Sequence, residues 1–338
     1  MKKHVNIPVF IPHLGCPNMC VFCNQRSISG TTEYRREDAA KEIEAGLSTV
    51  SAGQEAQIAF FGGSFTGIDR DEMIYLLETG YSYVKSGKAA SIRLSTRPDY
   101  IDEEILDILS RYGVRTIELG LQSMSDRVLS ASRRGHSADT GRAACKMIKA
   151  RGFELIGQMM IGLPASTEAD EIYTAREICA LGADGARIYP TVVFLETELA
   201  EMARRGEYEP LSVNEAACRC ASALEVFADA GVKVIRIGLQ SSEALVCGRG
   251  IYEKSEYHEA IGELCRGELF RRKMEKTPEI KEFSGRILKI AVNPVSVSRA
   301  AGLSASNKKY FIEKYGIRDI KISADPQIGE YDFEILPD

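Results

Sequence analysis

A chain of 338 residues is long enough to bury a sizeable core, as one large domain with an appendage or as two ordinary domains. Its 44% hydrophobic and 27% charged residues are average globular usage, which excludes disordered and fibrous classes. A net charge of −5 excludes a global basic field for nucleic acid, and the local run Arg266, Arg271, Arg272 and Lys273 reads first as a solvated helix face. No apolar run approaches the roughly 18 residues of a membrane span, and Pro8 and Pro12 interrupt the N-terminal segment before any secretory core develops. A cytoplasmic protein without a membrane partner is expected. Nine cysteines, three of them clustered, suit a reducing compartment; Cys145, Cys179, Cys218, Cys220, Cys247 and Cys265 are expected to be buried small hydrophobes.

Short β-rich segments alternate with longer amphipathic ones as far as about residue 237, the rhythm of a parallel sheet built from βα units. The first strand is read over Val5 to Pro12 and the first helix over Arg36 to Val50. Strand Gln57 to Phe61 then precedes helix Asp71 to Lys85, and strand Ser91 to Ser95 precedes helix Asp102 to Tyr112. Strand Arg115 to Leu119 and helix Ala138 to Arg151 follow, then strand Phe153 to Met160 with helix Thr167 to Leu181. Strand Gly185 to Tyr189, helix Val213 to Ala230 and strand Val232 to Ile237 complete the series. Each strand is short and apolar, as buried parallel strands are, and helices end before Gly113, Gly152, Gly182 and Gly231. The polar and Gly-rich motifs follow the strands, at the edge where barrels and open α/β sheets both bind ligands. Beyond residue 240 the rhythm changes. A basic helix-like segment at Ser255 to Lys276, strands at Arg286 to Asn293 and Asp319 to Ala324, and a helix around Asn307 to Tyr315 read as a small appendage. The expected division is 1–238 for the barrel core and 239–338 for a C-terminal α/β extension.

The loop after the first strand carries Cys16, Cys20 and Cys23 at the spacing CxxxCxxC, with Gly15 and Pro17 favouring a loop over a helix. A cubane iron–sulfur cluster is normally held by four thiolates, so three leave one iron open to a chelating small molecule. The competing reading is zinc, with His13 completing a closed Cys₃His site in a non-enzymatic binding module. Strand Gln57 to Phe61 runs into Gly62-Gly63-Ser64-Phe65-Thr66, where paired glycines let the backbone approach a ligand or simply make a tight βα turn.

Through these two motifs and the aromatic Phe22 before the third cysteine, the chain resembles the radical S-adenosylmethionine (SAM) superfamily. Within it the chain is similar to the radical SAM domain of the catalytic subunit of the elongator complex. That resemblance is carried by Gly15-Cys16-Pro17 through Cys23-Asn24, Phe61-Gly62-Gly63-Ser64-Phe65, Ser95-Thr96-Arg97-Pro98-Asp99, Glu118-Leu119-Gly120-Leu121-Gln122-Ser123, Gly162-Leu163-Pro164 and Arg187-Ile188-Tyr189-Pro190. It covers about residues 5–240. It implies a partial (β/α)₆ TIM-like barrel, a [4Fe-4S] cluster on Cys16, Cys20 and Cys23, and reductive cleavage of SAM to a 5′-deoxyadenosyl radical. It also implies an electron donor such as flavodoxin or ferredoxin. Position by position, Gly62, Gly63 and Ser64 match the segment that meets the methionyl amine of SAM, and Phe22 an aromatic near the adenine. Gln122 and Arg134 stand at a spacing similar to SAM-contacting residues of the oxygen-independent coproporphyrinogen oxidases; Gln158 falls where those enzymes carry an aspartate that meets the ribose. Ser95 and Arg97 are expected to face the same bowl.

Candidates for substrate chemistry are Glu118, Tyr189, Tyr257 and His258, each a titratable or hydrogen-bonding group near a strand end or in the appendage. The substrate itself is not legible, and RNA is the alternative class by way of the elongator resemblance. Residues 1–338 leave no room for an acetyltransferase domain, and no basic extension precedes the first strand, so the acetyl-CoA-dependent reaction is not expected of this chain alone.

Overall fold

A computed structural model describes residues 3–11, 16, 20–24, 35–240 and 243–337. Seven parallel strands stand in the order of the sequence: β1 (Lys3–Ile11), β2 (Gln54–Gly62), β3 (Ser91–Thr96), β4 (Val114–Gln122), β5 (Glu154–Ile161), β6 (Gly185–Pro190) and β7 (Lys233–Ile237). Sequential order with parallel pairing requires a helical crossover after every strand, always on one face, and this curls the sheet into a half barrel. The helices are α1 (Ala39–Ser48), α2 (Arg70–Lys85), α3 (Glu103–Arg111), α4 (Asp126–Ala131), α5 (Ala138–Ala150), α6 (Glu168–Ala180), α7 (Glu198–Arg204) and α8 (Val213–Asp229). The expected partial barrel is what the chain forms. The short α4 and α7 were not foreseen, because one or two turns carry too little periodicity to read.

Local chemistry starts these helices where the sequence suggests. Asp69 accepts from the amides of Asp71 and Glu72, Asp102 from Ile105, and Ser137 from Thr140. Thr167 with Asp170, and Ser212 with Glu215, make reciprocal capping boxes at α6 and α8.

The strands are less uniformly apolar than expected. Their outward positions, such as Ile58, Phe60, Ile92, Leu94, Ile117 and Leu119, are buried under the helices in one continuous core. The alternate positions face the lumen and are polar: Gln57, Arg93, Ser95, Glu118, Gln158 and Arg187 bond to one another there. The concave face of the half barrel is therefore a buried, mutually hydrogen-bonded polar layer rather than a second apolar core.

After β7 come α9 (Ile261–Glu275), β8 (Ile287–Val292), α10 (Val297–Ala301), α11 (Ser306–Tyr315), β9 (Asp319–Ala324) and β10 (Phe333–Ile335). The three strands form a second sheet in the order β10-β8-β9, parallel between β8 and β9 and antiparallel between β8 and β10. Helix α9 belongs to both bodies: Ile261, Cys265 and Leu269 lie in the barrel core, and Phe270 and Met274 in the core under the small sheet. Among the scattered cysteines Cys145, Cys220 and Cys265 are buried, Cys179 and Cys218 partly so, and Cys247 is exposed, contrary to expectation. Among the described residues no helix is long and apolar enough to cross a membrane.

Candidate active site

Of the loop after β1, residues 20–24 lie at the C-terminal mouth of the half barrel. Val21 donates its amide to the carbonyl of Ser132 at 3.2 Å and accepts from the amide of Leu199 at 2.8 Å, so this segment is tied both to the end of α4 and to the start of α7. Val21 is buried against Val193, Leu199 and Tyr252, with Phe22 packed alongside. Cys20 is buried beneath it, and its Sγ accepts from Arg134 Nη1 at 3.3 Å, with Arg97 Nη1 at 3.9 Å. Cys23 closes a turn by donating its amide to the carbonyl of Cys20 at 3.0 Å. Cys16 is exposed, and partial desolvation raises its thiol pKa, opposed by the Arg97 and Arg134 guanidiniums and a hydrogen bond from the Ser64 backbone.

Both arginines are held rigidly. Arg134 Nη2 donates to the carbonyl of Gly120 at 2.6 Å; a Cβ at Gly120 would lie 2.9 Å from that nitrogen, so the glycine makes room for the contact. Arg97 forms a two-point pair with Asp99 at 2.8 and 2.9 Å and donates to the carbonyl of Arg134 at 2.6 Å. Arg97 therefore buttresses Arg134, a role the sequence did not show. The Gly62-Gly63 turn is fixed by β1: Gly62 has φ +124°, a Cβ there would lie 2.4 Å from the carbonyl oxygen of Ile11, and Gly63 donates its amide to that oxygen at 3.0 Å. Gly63, Ser64 and Ser95 border one narrow cleft with Ile11, Phe61 and Phe65. The Ser64 hydroxyl is occupied, 2.9 Å from Thr96 Oγ1 and accepting from the Arg97 amide at 3.2 Å, so this residue can offer a ligand only its backbone.

Gln122 ends β4 with φ +65°, at an irregularity in the β4–β5 register. A non-glycine residue in this region is strained, and such strain collects at ligand sites. Among the described residues Gln122 Oε1 and Arg134 Nε are buried without a hydrogen-bond partner, and both belong to the mouth. Deeper in the lumen Glu118 is 1% exposed, and both of its oxygens are saturated. Oε1 accepts from Arg93 Nη1 and Arg187 Nη2, each at 2.8 Å; Oε2 accepts from Gln158 Nε2 at 2.8 Å and lies 2.7 Å from Arg187 Nε. Gln158 also donates to Ser95 Oγ at 2.9 Å. Burial pushes the Tyr189 phenol pKa up, against the pull of Arg187. Glu118, Tyr189, Gln158 and Ser95 thus share one site.

Tyr257 and His258 do not join that group. They border a small cavity of about 20 Å³ with Pro190, Leu211 and Gly238, where Tyr257 packs on Val192, Phe194 and Leu245. His258 Nδ1 accepts from the amide of Ala260 at 3.1 Å, which shapes the entry to α9. Three residues that the sequence did not mark as site residues emerge instead: Arg93 and Arg187 in the lumen, and His136 beside Arg134. Polar residues at alternate strand positions, Arg93-Ser95 and Arg187-Tyr189, were the signal for the first two. Burial and the Arg134 charge depress the His136 pKa to about 4.

Among the described residues no three cysteine, histidine or acidic side chains converge as a preformed metal cage. The donor set nonetheless suits an iron–sulfur cluster: three thiols on one loop, two guanidiniums to offset thiolate charge, and unpaired polar atoms alongside for a second ligand. His13, the fourth ligand of the zinc reading, lies outside the described residues.

A buried thiol with two arginines at the C-terminal mouth of a parallel half barrel defines an enzyme of the barrel type, with its site where such enzymes carry theirs. Residues 10–178 match the Radical SAM superfamily model, and residues 183–269 match the Radical SAM C-terminal domain. The chain belongs to the radical SAM superfamily, whose cofactors are a [4Fe-4S] cluster and SAM. Among its relatives, an uncharacterized protein of Methanocaldococcus jannaschii is 29% identical over 228 residues, covering 63% of this chain and 69% of that one. The tRNA uridine(34) acetyltransferase of Methanocaldococcus infernus is 33% identical over 135 residues, covering 38% of this chain and 25% of that protein. Elongator complex protein 3 of Saccharomyces cerevisiae is 33% identical over 156 residues, covering 44% and 27%. The chain therefore spans about a quarter of the length of these last two. The solved Methanocaldococcus infernus Elp3 with an N-terminal deletion superposes at TM-score 0.61 and 19% identity, over 82% of this chain and 63% of that one.

Proposed function

We propose that Cys16, Cys20 and Cys23 hold the [4Fe-4S] cluster and that the enzyme reductively cleaves SAM to a 5′-deoxyadenosyl radical which acts on a substrate in the lumen. The observation that carries this reading is the Cys20 thiol facing Arg134 at the mouth, beside the Gly62-Gly63 turn and two unpaired buried polar atoms. When bound, the cluster supplies one electron for breaking the sulfonium C–S bond of SAM.

The residues do the positioning. Arg134 Nε is the free donor for the SAM carboxylate and Gln122 Oε1 a free acceptor, while Gly62, Gly63 and Ser64 bring only backbone to the methionyl end. Gln158, steadied through its amide nitrogen by Ser95 and Glu118, keeps its carbonyl oxygen for a ribose hydroxyl. The loop, packed over the mouth through Val21 and Phe22, excludes water from the site. Because three carboxylate hydrogen bonds and an ion pair already saturate Glu118, it orients Arg187 and Gln158 rather than transferring a proton.

The electron donor is expected to be a flavodoxin or ferredoxin in the cytoplasm. Relatives named as tRNA uridine(34) acetyltransferases make RNA the first substrate class to test. Helix α9 offers RNA little: Arg271 and Arg272 pair with Glu268, Arg271 also with Glu275, Lys273 with Asp332 and Arg266 with Glu263. The decisive experiment is anaerobic reconstitution with iron and sulfide, then reduction by dithionite in the presence of SAM, scoring 5′-deoxyadenosine. Formation above a cluster-free control is the expected result. A colourless protein with one zinc and no product would restore the binding-module reading.

A further inference from the structure

The charges of the lumen are not balanced, and the imbalance is local. Arg93, Arg187 and Arg236 face Glu118 and Glu154, leaving one guanidinium in excess. Glu154 is engaged by the Thr116 hydroxyl at the closed end, and Glu118 has no lone pair direction left for a further cation. The excess falls on Arg236. It stands beside Arg187 in the β6–β7 register, so the two share the lumen face, and among the described residues it has no carboxylate within ion-pair distance. Its charge acts on Tyr189, the residue two positions beyond Arg187 on that face. The Phe61 ring lies 5.7 Å under the Arg187 guanidinium and walls the other side.

A half-buried guanidinium on the same face as a phenol, with the intervening arginine already neutralised by Glu118, is a ready oxyanion receptor. We propose that the β6–β7 side of the lumen is a substrate subsite in which Arg236 and the Tyr189 hydroxyl take a carboxylate or phosphate group, while Arg187 stays bound to Glu118. This rests on the reading that substrate lies in the lumen, and it makes the substrate an anion-bearing molecule.

The test uses the cluster-loaded protein with SAM present throughout. Modification of individual arginines by phenylglyoxal is followed by mass spectrometry with inorganic phosphate, with succinate, or with potassium chloride at matched ionic strength. The exposed Arg111 and Arg318 serve as references. Reaction at Arg236 is expected to slow several-fold with phosphate or succinate but not with chloride, while Arg111 and Arg318 are unaffected. Protection by phosphate alone points to a phosphoryl-bearing substrate, by succinate alone to a carboxylate, and by both to an undiscriminating oxyanion site. Protection by chloride to the same extent, or by nothing at all, overturns the proposal. The deoxyadenosine assay on the same preparation separates the two readings: product without protection rejects the subsite alone, and protection without product rejects SAM cleavage alone.

Discussion

Nine cysteines are chemically alike until their surroundings divide them. Cys145 lies 1% exposed in the barrel core, where burial pushes its pKa up to about 12 and keeps it a thiol. Cys20 is also buried, 7% exposed, but its sulfur faces the guanidiniums of Arg134 and Arg97 instead of apolar side chains. Replacing Cys20 with Ala is therefore expected to abolish the brown cluster absorbance and deoxyadenosine formation together. Cys145→Ala should keep both and lose about 1 kcal/mol of stability for a small cavity. A Cys20→Ala protein that retained its cluster would sink the ligand assignment. His136 carries a second residue-level prediction. Its pKa is depressed to about 4, so the unfolded chain binds the proton more readily than the folded one. That contribution is full above the ordinary histidine pKa of 6.5 and is lost as the pH falls toward about 4, at a cost of no more than about 3 kcal/mol. Urea midpoints near neutrality and at about pH 5 should converge in His136→Gln; an unchanged acid slope would remove His136 from the account.

At the scale of elements, the strand ends hold the site by backbone contacts that no side chain can imitate. The β1–β2 junction is the clearest case, since Gly62 turns at φ +124° directly against the carbonyl of Ile11. Gly62→Ala is expected to cost about 2 kcal/mol or more in denaturant unfolding and to weaken SAM binding, because the Gly63 amide is hung from the same carbonyl. Unaltered SAM affinity in a folded variant would show that the turn is structural only. The loop after β5 is held comparably: the buried Glu171 accepts from the Gly162 amide at 2.7 Å and pairs with Arg219, and Tyr208 donates to the Gly162 carbonyl at 2.6 Å. The periodicity of the sequence was enough to locate every barrel strand and the six long helices. It could not show which polar strand residues meet, since Arg93, Glu118 and Arg187 come from three strands whose convergence depends on the curl of the sheet.

At the scale of the molecule, α9 joins the two bodies through neighbouring residues, Leu269 filling the barrel core and Phe270 the core of the small sheet. Leu269→Ala and Phe270→Ala are each expected to cost about 2–5 kcal/mol and to shift one common unfolding transition followed by circular dichroism. If Phe270→Ala instead split off an early transition with the barrel intact, the small sheet would be an independent unit. The sequence by itself determined the βα rhythm, the three-cysteine loop and the glycine turn, because each depends on residues close together along the chain. Only the tertiary structure decided that Arg97 buttresses Arg134, that Tyr257 and His258 stand outside the lumen, that the basic residues of α9 are consumed by ion pairs, and that Arg236 is left with unbalanced charge. Those facts arise from contacts between distant segments, and a one-dimensional pattern does not encode which charges will be neighbours once the strands close into a half barrel.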